Sequence, residues 1–180
     1  IKSFDSLCGD QMAGYGAAAD IIANVQNVGV IGHTCSVSFS GGLPVYESAG
    51  MVTISGSTTR ANLPDYGPTV FNRTTLYDPF VESWMTAIQS RPDVIAWSAD
   101  YKAHFGEDPD QYAVLYYDAA RVMLQRIMDV GVVSEEDGSM TIDLSPLANA
   151  VRGTADYPGI SGFMRFDSLG NRVAVTNPTP

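Results

Sequence analysis

The sequence predicts an α/β protein built on a parallel, doubly wound sheet with helices on its faces. Three observations lead there. Asn27 to Arg60 reads as strand, helix, strand: Val28–Ile31 and Met51–Ile54 are short apolar runs, and Ser40–Ser48 between them is a helix candidate. Such a crossover makes the two strands parallel and neighbouring, with a right-handed connection. Each apolar run also ends in a polar loop, His33–Ser36 after the first and Ser55–Arg60 (SGSTTR) after the second, so both loops leave the carboxyl edge. Finally, residues 78–130 carry capped amphipathic stretches of helical period, which can cover such a sheet.

In chain order, Ile1–Phe4 reads as a strand, and Asp10 as the N-cap of a helix reaching about Asn24. Gly14-Tyr15-Gly16 interrupts that helix but lacks the spacing and the Lys of a phosphate loop. In the strand–helix–strand unit, Pro44 falls early enough for the first turn of the helix. Thr69–Phe71 reads as a third short strand ending in Asn72-Arg73-Thr74, formally a glycosylation sequon. Asp78-Pro79 reads as a helix start, and Arg91-Pro92 as a break and restart. Val94, Trp97, Tyr101 and Phe105 continue an apolar stripe up to Gly106. Asp108-Pro109-Asp110 caps a helix from Gln111 to about Val130, whose Tyr112, Tyr116, Met123, Leu124, Ile127 and Met128 read as core. Ser134–Ser139 is an acidic loop and Leu147–Val151 a short helix. Ile160–Phe166 and Arg172–Val175 read as a hairpin closed by a glycine turn, followed by the tail Asn177–Pro180. The expected division is 1–75 for the α/β part with its loops, 76–156 for a helical part packed on it, and 157–180 for the hairpin and tail.

Composition narrows the function. The chain has 180 residues, 45% hydrophobic and 17% charged, which suits a folded domain rather than a disordered one. A net charge of −10 argues against a nucleic-acid partner. Cys8 and Cys35 fit either a disulfide or two buried thiols. Each follows an apparent strand of one sheet, which favours a bridge; closing that loop of roughly thirty residues contributes about 3–4 kcal/mol in the chain-entropy account. With no CxxC and with His33 far in sequence from His104, no metal site and no cofactor are expected. Neither polar loop carries a nucleophile beside a base, so an enzyme is not expected. The loops offer hydroxyls instead: Ser36 near a helix N-terminus, a seat for a carboxylate or phosphate, and Ser55, Ser57, Thr58 and Thr59 opposite. That suits holding a small polar ligand at the carboxyl edge, where open α/β sheets bind.

Three stretches, in order, carry a family resemblance. GVIGHTCS followed by PVYESAGMVTISGSTT resembles the type I periplasmic binding proteins of the leucine/isoleucine/valine class. These are substrate-binding components of branched-chain amino acid ABC transporters. YKAHFGEDPDQYAVLYYDAARVM and YPGISGFMRFDSLGNRV are similar to later segments of the same family.

The resemblance implies a periplasmic or extracellular protein whose partners are an amino-acid-like ligand and the membrane subunits of a transporter. It places first-lobe ligand contacts on Ser36, Ser57 and Thr59, and the family's disulfide on Cys8 and Cys35. The family's first strand–helix unit and most of its second lobe have no counterpart in this sequence. The expectation is therefore mainly one lobe plus the closing hairpin. The alternative function is a lobe serving as a structural or interaction module in an extracellular assembly. In the family, the strand matching Ile1–Phe4 and that matching Val28–Ile31 flank the first strand, so a slot is expected between them, filled by a partner strand or oligomer or by a further segment.

Overall fold

Two parallel strands and a third extended segment form the centre of the molecule. The structure is a computed structural model and describes residues 1–173. β1 (Gly29–Ile31) pairs with β2 (Val52–Ile54) in the register Gly29↔Val52, Val30↔Thr53, Ile31↔Ile54. On the far side of β2 the chain at 70–74 runs parallel: Thr53 N donates to Val70 O (2.9 Å), Ser55 N to Asn72 O (2.9 Å) and Thr74 N to Ser55 O (2.8 Å). The expected strand Thr69–Phe71 does not form as such: Thr69 and Val70 lie in a turn, and only the isolated parallel bridge Ser55↔Arg73 follows.

Alternation along the strands separates two cores. Val30 faces one core with Ala18 and Ile21 of α1 (Gln11–Ile22) and Phe39, Leu43 and Tyr46 of α2 (Ser36–Ala49). Val52 and Ile54 face the other, with Ala119, Val122 and Met123 of α5 (Ala113–Val130) and Leu147, Ala148 and Val151 of α6 (Leu144–Arg152). Helices thus cover both faces, as the doubly wound prediction requires. A third cluster joins α3 (Val81–Gln89) and α4 (Pro92–Phe105) to Val114 and Leu115 of α5.

The helix ends obey local chemistry. Asp10 caps α1 by accepting from Met12 N and Ala13 N. The Gly14 interruption is a packing device. A Cβ there would lie 1.9 Å from Ser38 O, and one on Gly41 2.0 Å from Gln11 O, so the glycines let the backbones of α1 and α2 touch. Helix α2 begins at Ser36, earlier than expected, which puts Pro44 in its interior. Ser38, Ser40 and Ser48 donate back to Cys35 O, Val37 O and Val45 O, three residues earlier in each case. Pro92 opens α4 and Gly106, at φ 81°, closes it.

Several expectations need correction. Ile1–Phe4 forms no strand and is exposed; among the described residues nothing pairs with the free edge of β1. Asp78-Pro79 does not start α3, whose N-cap is Phe80, because Asp78 is held by Thr59. Asp110 accepts from Tyr112 N as a cap does, but residues 111–112 form a turn, and α5 itself starts at Ala113. The buried face of α5 runs through Val114, Leu115, Asp118, Ala119, Val122 and Met123, which leaves Leu124 and Met128 exposed. Phe105 is exposed as well. The acidic loop at Ser134 turns a small hairpin of β3 (Val132–Val133) and β4 (Met140–Thr141). The closing hairpin is divided: β5 (Tyr157–Gly159) pairs with β6 (Gly162–Met164), and Phe166 then bridges to Arg172. The end of the expected last strand and the tail lie outside the described residues. Asn72 is fully buried, donating to Thr53 O and Val70 O, so the sequon is not displayed.

A buried charged network fastens the closing hairpin to the sheet. Asp118 accepts from Ile160 N (2.9 Å), Ser161 N (2.9 Å) and the Ser161 hydroxyl. Arg172 donates to Ser161 Oγ (2.7 Å) and Thr74 O (2.9 Å) and stacks on Trp84. Burial pushes the Arg172 guanidinium down to about 10.

Candidate functional site at the carboxyl rim

The loops leaving β1 and β2 meet at one rim. Ser55 ties them together: its buried hydroxyl donates to His33 O (2.7 Å), while Gly32 N donates to Ile54 O (3.0 Å). Ser57 lies above that tie, donating to Thr34 O (2.7 Å). Ser36 Oγ accepts from Arg60 N (3.4 Å), so the start of α2 touches the end of the β2 loop. Thr59 donates to Asp78 Oδ2 (3.2 Å), and Asp78 N donates back to Thr59 O (3.0 Å). Ser36, Ser57 and Thr59 therefore lie along one strip, each half-buried. Thr58, the remaining hydroxyl of the loop, is buried beneath it.

Cys35 is the N-cap of α2, and its side chain forms the disulfide with Cys8, with Cα atoms 5.3 Å apart. A cysteine so engaged cannot cap, and α2 has no side-chain cap. Its first backbone bond is Phe39 N to Cys35 O (3.0 Å), so the preceding amides have no partner within the helix and face the rim with the positive end of the helix dipole.

Tyr116, read from sequence as core, contributes to the rim. Its hydroxyl is 2.7 Å from Ser57 Oγ and 3.2 Å from His33 O. The Tyr116 hydroxyl donates to His33 O, and the contact between Tyr116 and Ser57 can be supplied with a proton from either hydroxyl. Burial pushes its pKa upward, so it stays neutral. Gly56 makes room for the ring, since a Cβ there would lie 2.7 Å from it. The usable signal was a tyrosine in the first turn of a helix that follows Asp108-Pro109-Asp110, at the same end of the sheet as the loops.

The His33 side chain turns away. It is 5% exposed, shares a hydrogen bond with Tyr46 Oη (2.9 Å) and stacks on Phe39, and its Nδ1 has no partner. Burial lowers its pKa to about 4. A cavity of about 550 Å³ lies apart from the three hydroxyls, lined by Tyr77, Phe80, Trp84, Asp167 and Arg172 among others. None of Ser36, Ser57 and Thr59 lines it. Among the described residues no cluster of His, Cys, Asp and Glu could hold a metal ion.

The sequence matches no family model and no curated protein. Solved structures do match. An ABC transporter substrate-binding protein from Desulfitobacterium hafniense in complex with Leu has a TM-score of 0.72 and 15% identity, covering 92% of this chain and 81% of that one. The branched-chain amino acid transporter substrate-binding protein LivJ from Streptococcus pneumoniae in complex with isoleucine gives 0.71 and 10%, covering 91% and 79%. A solute-binding protein of an ABC transporter from Rhodopseudomonas palustris, in complex with 3,4-dihydroxybenzoic acid, gives 0.69 and 11%, covering 91% and 77%. The fold is that of the type I periplasmic binding proteins, as the three sequence stretches imply.

Proposed function

We propose that this chain binds a small polar ligand of the amino-acid type at the carboxyl rim, as an extracytoplasmic substrate-binding component of an ABC transporter. One observation carries the reading: Ser36 at the uncapped start of α2 is brought against the loop bearing Ser57 and Thr59 by the Arg60 N to Ser36 bond. The ligand's carboxylate sits on the Ser36 hydroxyl and the free amides of α2, where the helix dipole favours an anion. The acceptor oxygens of Ser57 and Tyr116 face the rest of the ligand. Leucine and isoleucine are bound by two structures of the same fold, which supports an amino acid, and the disulfide suits an oxidising compartment. The membrane subunits of the transporter are the partners this role requires, and it involves no covalent chemistry.

Titration calorimetry with the amino acids and with 3,4-dihydroxybenzoate tests the reading. Heat is expected with at least one amino acid, and Ser36→Ala weakens that binding about tenfold or more by removing a bond to a charged group. Absence of heat with every amino acid at millimolar concentration rejects the proposal.

A further inference from the structure

We infer that the cavity between the start of α3 and the closing hairpin is a separate binding site, for a small aromatic carboxylate. It shares no residue with the Ser36–Ser57–Thr59 strip, so it does not depend on the reading above.

Its volume of about 550 Å³ falls in the range of small-molecule sites. Helical spacing builds one wall. α3 buries Val81, Met85 and Ile88 against α4 and α5, which turns Phe80, Ser83 and Trp84 onto a neighbouring stripe along the cavity. Tyr77, just before the helix, meets Phe80 edge to face, with ring centroids 5.9 Å apart. Phe80 is 55% exposed, so this wall holds apolar surface for a ligand ring to cover.

The polar groups of the walls decide the charge of the ligand. Arg73 lies over the Tyr77 ring at 5.2 Å and Arg172 over the Trp84 ring at 4.8 Å. A guanidinium on a ring draws on its negative face, so these rings have little left for a second cation and suit an electron-rich ring. Both arginines are buried and in no ion pair among the described residues. The carboxylate of the lining, Asp167, is engaged in the hairpin turn. It accepts from Leu169 N (2.9 Å), Asn171 N (2.8 Å) and the Asn171 side chain (3.2 Å). The Trp84 indole N–H and the Tyr77 hydroxyl, by contrast, have no hydrogen-bond partner among the described residues, and neither is sealed from solvent. A ligand carboxylate meets both of these donors, whereas an ammonium meets only the phenol oxygen and the engaged Asp167.

Phenylacetate and phenethylamine share a ring and carry opposite charges. By calorimetry on the chain as it is, phenylacetate is expected to bind about tenfold or more tightly than the amine. In Trp97→Phe, which leaves Trp84 as the one tryptophan, phenylacetate is expected to change the tryptophan emission over the same concentration range. Ser83→Phe, at an exposed helix position, fills the cavity and is expected to weaken phenylacetate about tenfold or more with the unfolding midpoint kept. The inference is overturned if neither probe binds at millimolar concentration, or if the amine binds as tightly as the acid. It is overturned equally if Ser83→Phe keeps both its midpoint and the native affinity. Displacement of phenylacetate by leucine would move the probe to the rim, sinking this inference while the amino-acid reading stands.

Discussion

Two polar clusters occupy the same end of the sheet and could hardly differ more in how they use their hydrogen bonds. The Asp118–Ser161–Arg172 cluster is buried, and its contacts run to backbone and side chains of the closing hairpin and to Thr74. The Ser36–Ser57–Thr59 strip is half-exposed and keeps spare capacity: an unshared hydroxyl proton on Ser36, uncapped amides on α2, and oxygens on Tyr116 and Asp78 with room to accept. Both clusters belong to stretches that resemble the binding-protein family. The first shows how such stretches persist for architecture alone, because a saturated buried ion has nothing left to offer a ligand.

The contrast breaks most visibly through Asp118. Replacing it with Ala removes the buried charge that reaches Arg172 through Ser161 and strands two amides, so unfolding in urea should show a loss of about 3–5 kcal/mol. A loss under about 1 kcal/mol, the size of one ordinary hydrogen bond, would mean the network is not the clasp described.

Beneath the rim, His33 gives an intermediate effect. Its folded pKa of about 4 lies below the ordinary 6.5, so the unfolded chain takes up the proton first. The contribution is complete above pH 6.5 and is lost as pH falls toward 4, amounting to about 3 kcal/mol. Stability measured across that window should fall in the native chain, and fall less in His33→Phe, which retains a ring against Phe39. Equal slopes in the two proteins would remove His33 from the account.

The smallest effect is expected at Ser57. Its hydroxyl bonds lie at a half-exposed site, so Ser57→Ala should cost only about 0.5–1.5 kcal/mol in stability. A larger loss would place Ser57 with the saturated cluster rather than with the open strip.

The divide between what could and could not be read from sequence follows the range of the forces involved. Asp10 as a cap, Pro92 as a helix start, Gly106 as a stop and the β1–α2–β2 crossover are local events, and each was legible. Ser36, Ser57 and Thr59 were placed at one rim by topology alone. Tyr116 was not, because helical period marks a side chain as inward without saying whether its hydroxyl reaches a loop 59 residues away in sequence. Asp78 was misread for a related reason: an Asp before Pro has a strong local role to offer, and a tertiary contact with Thr59 displaced it. Ile1–Phe4 has the composition of a strand, but a strand exists only through a neighbour, and no neighbour is present among the described residues.

Among the described residues the outer edge of β1 is unpaired, and that has a practical meaning. Gly29, Val30 and Ile31 present backbone donors and acceptors with no Lys, Pro or bulge to repel an approaching chain, and only the shortness of the strand limits the docking length. Direction matters more than affinity at such a port. A segment that adds in parallel ends at the carboxyl rim and delivers whatever follows it beside Thr34. One that adds antiparallel delivers its start there instead. For a protein engineer, this makes β1 an address: a grafted strand can bring a loop of chosen chemistry to the open side of the ligand strip without altering any residue already there.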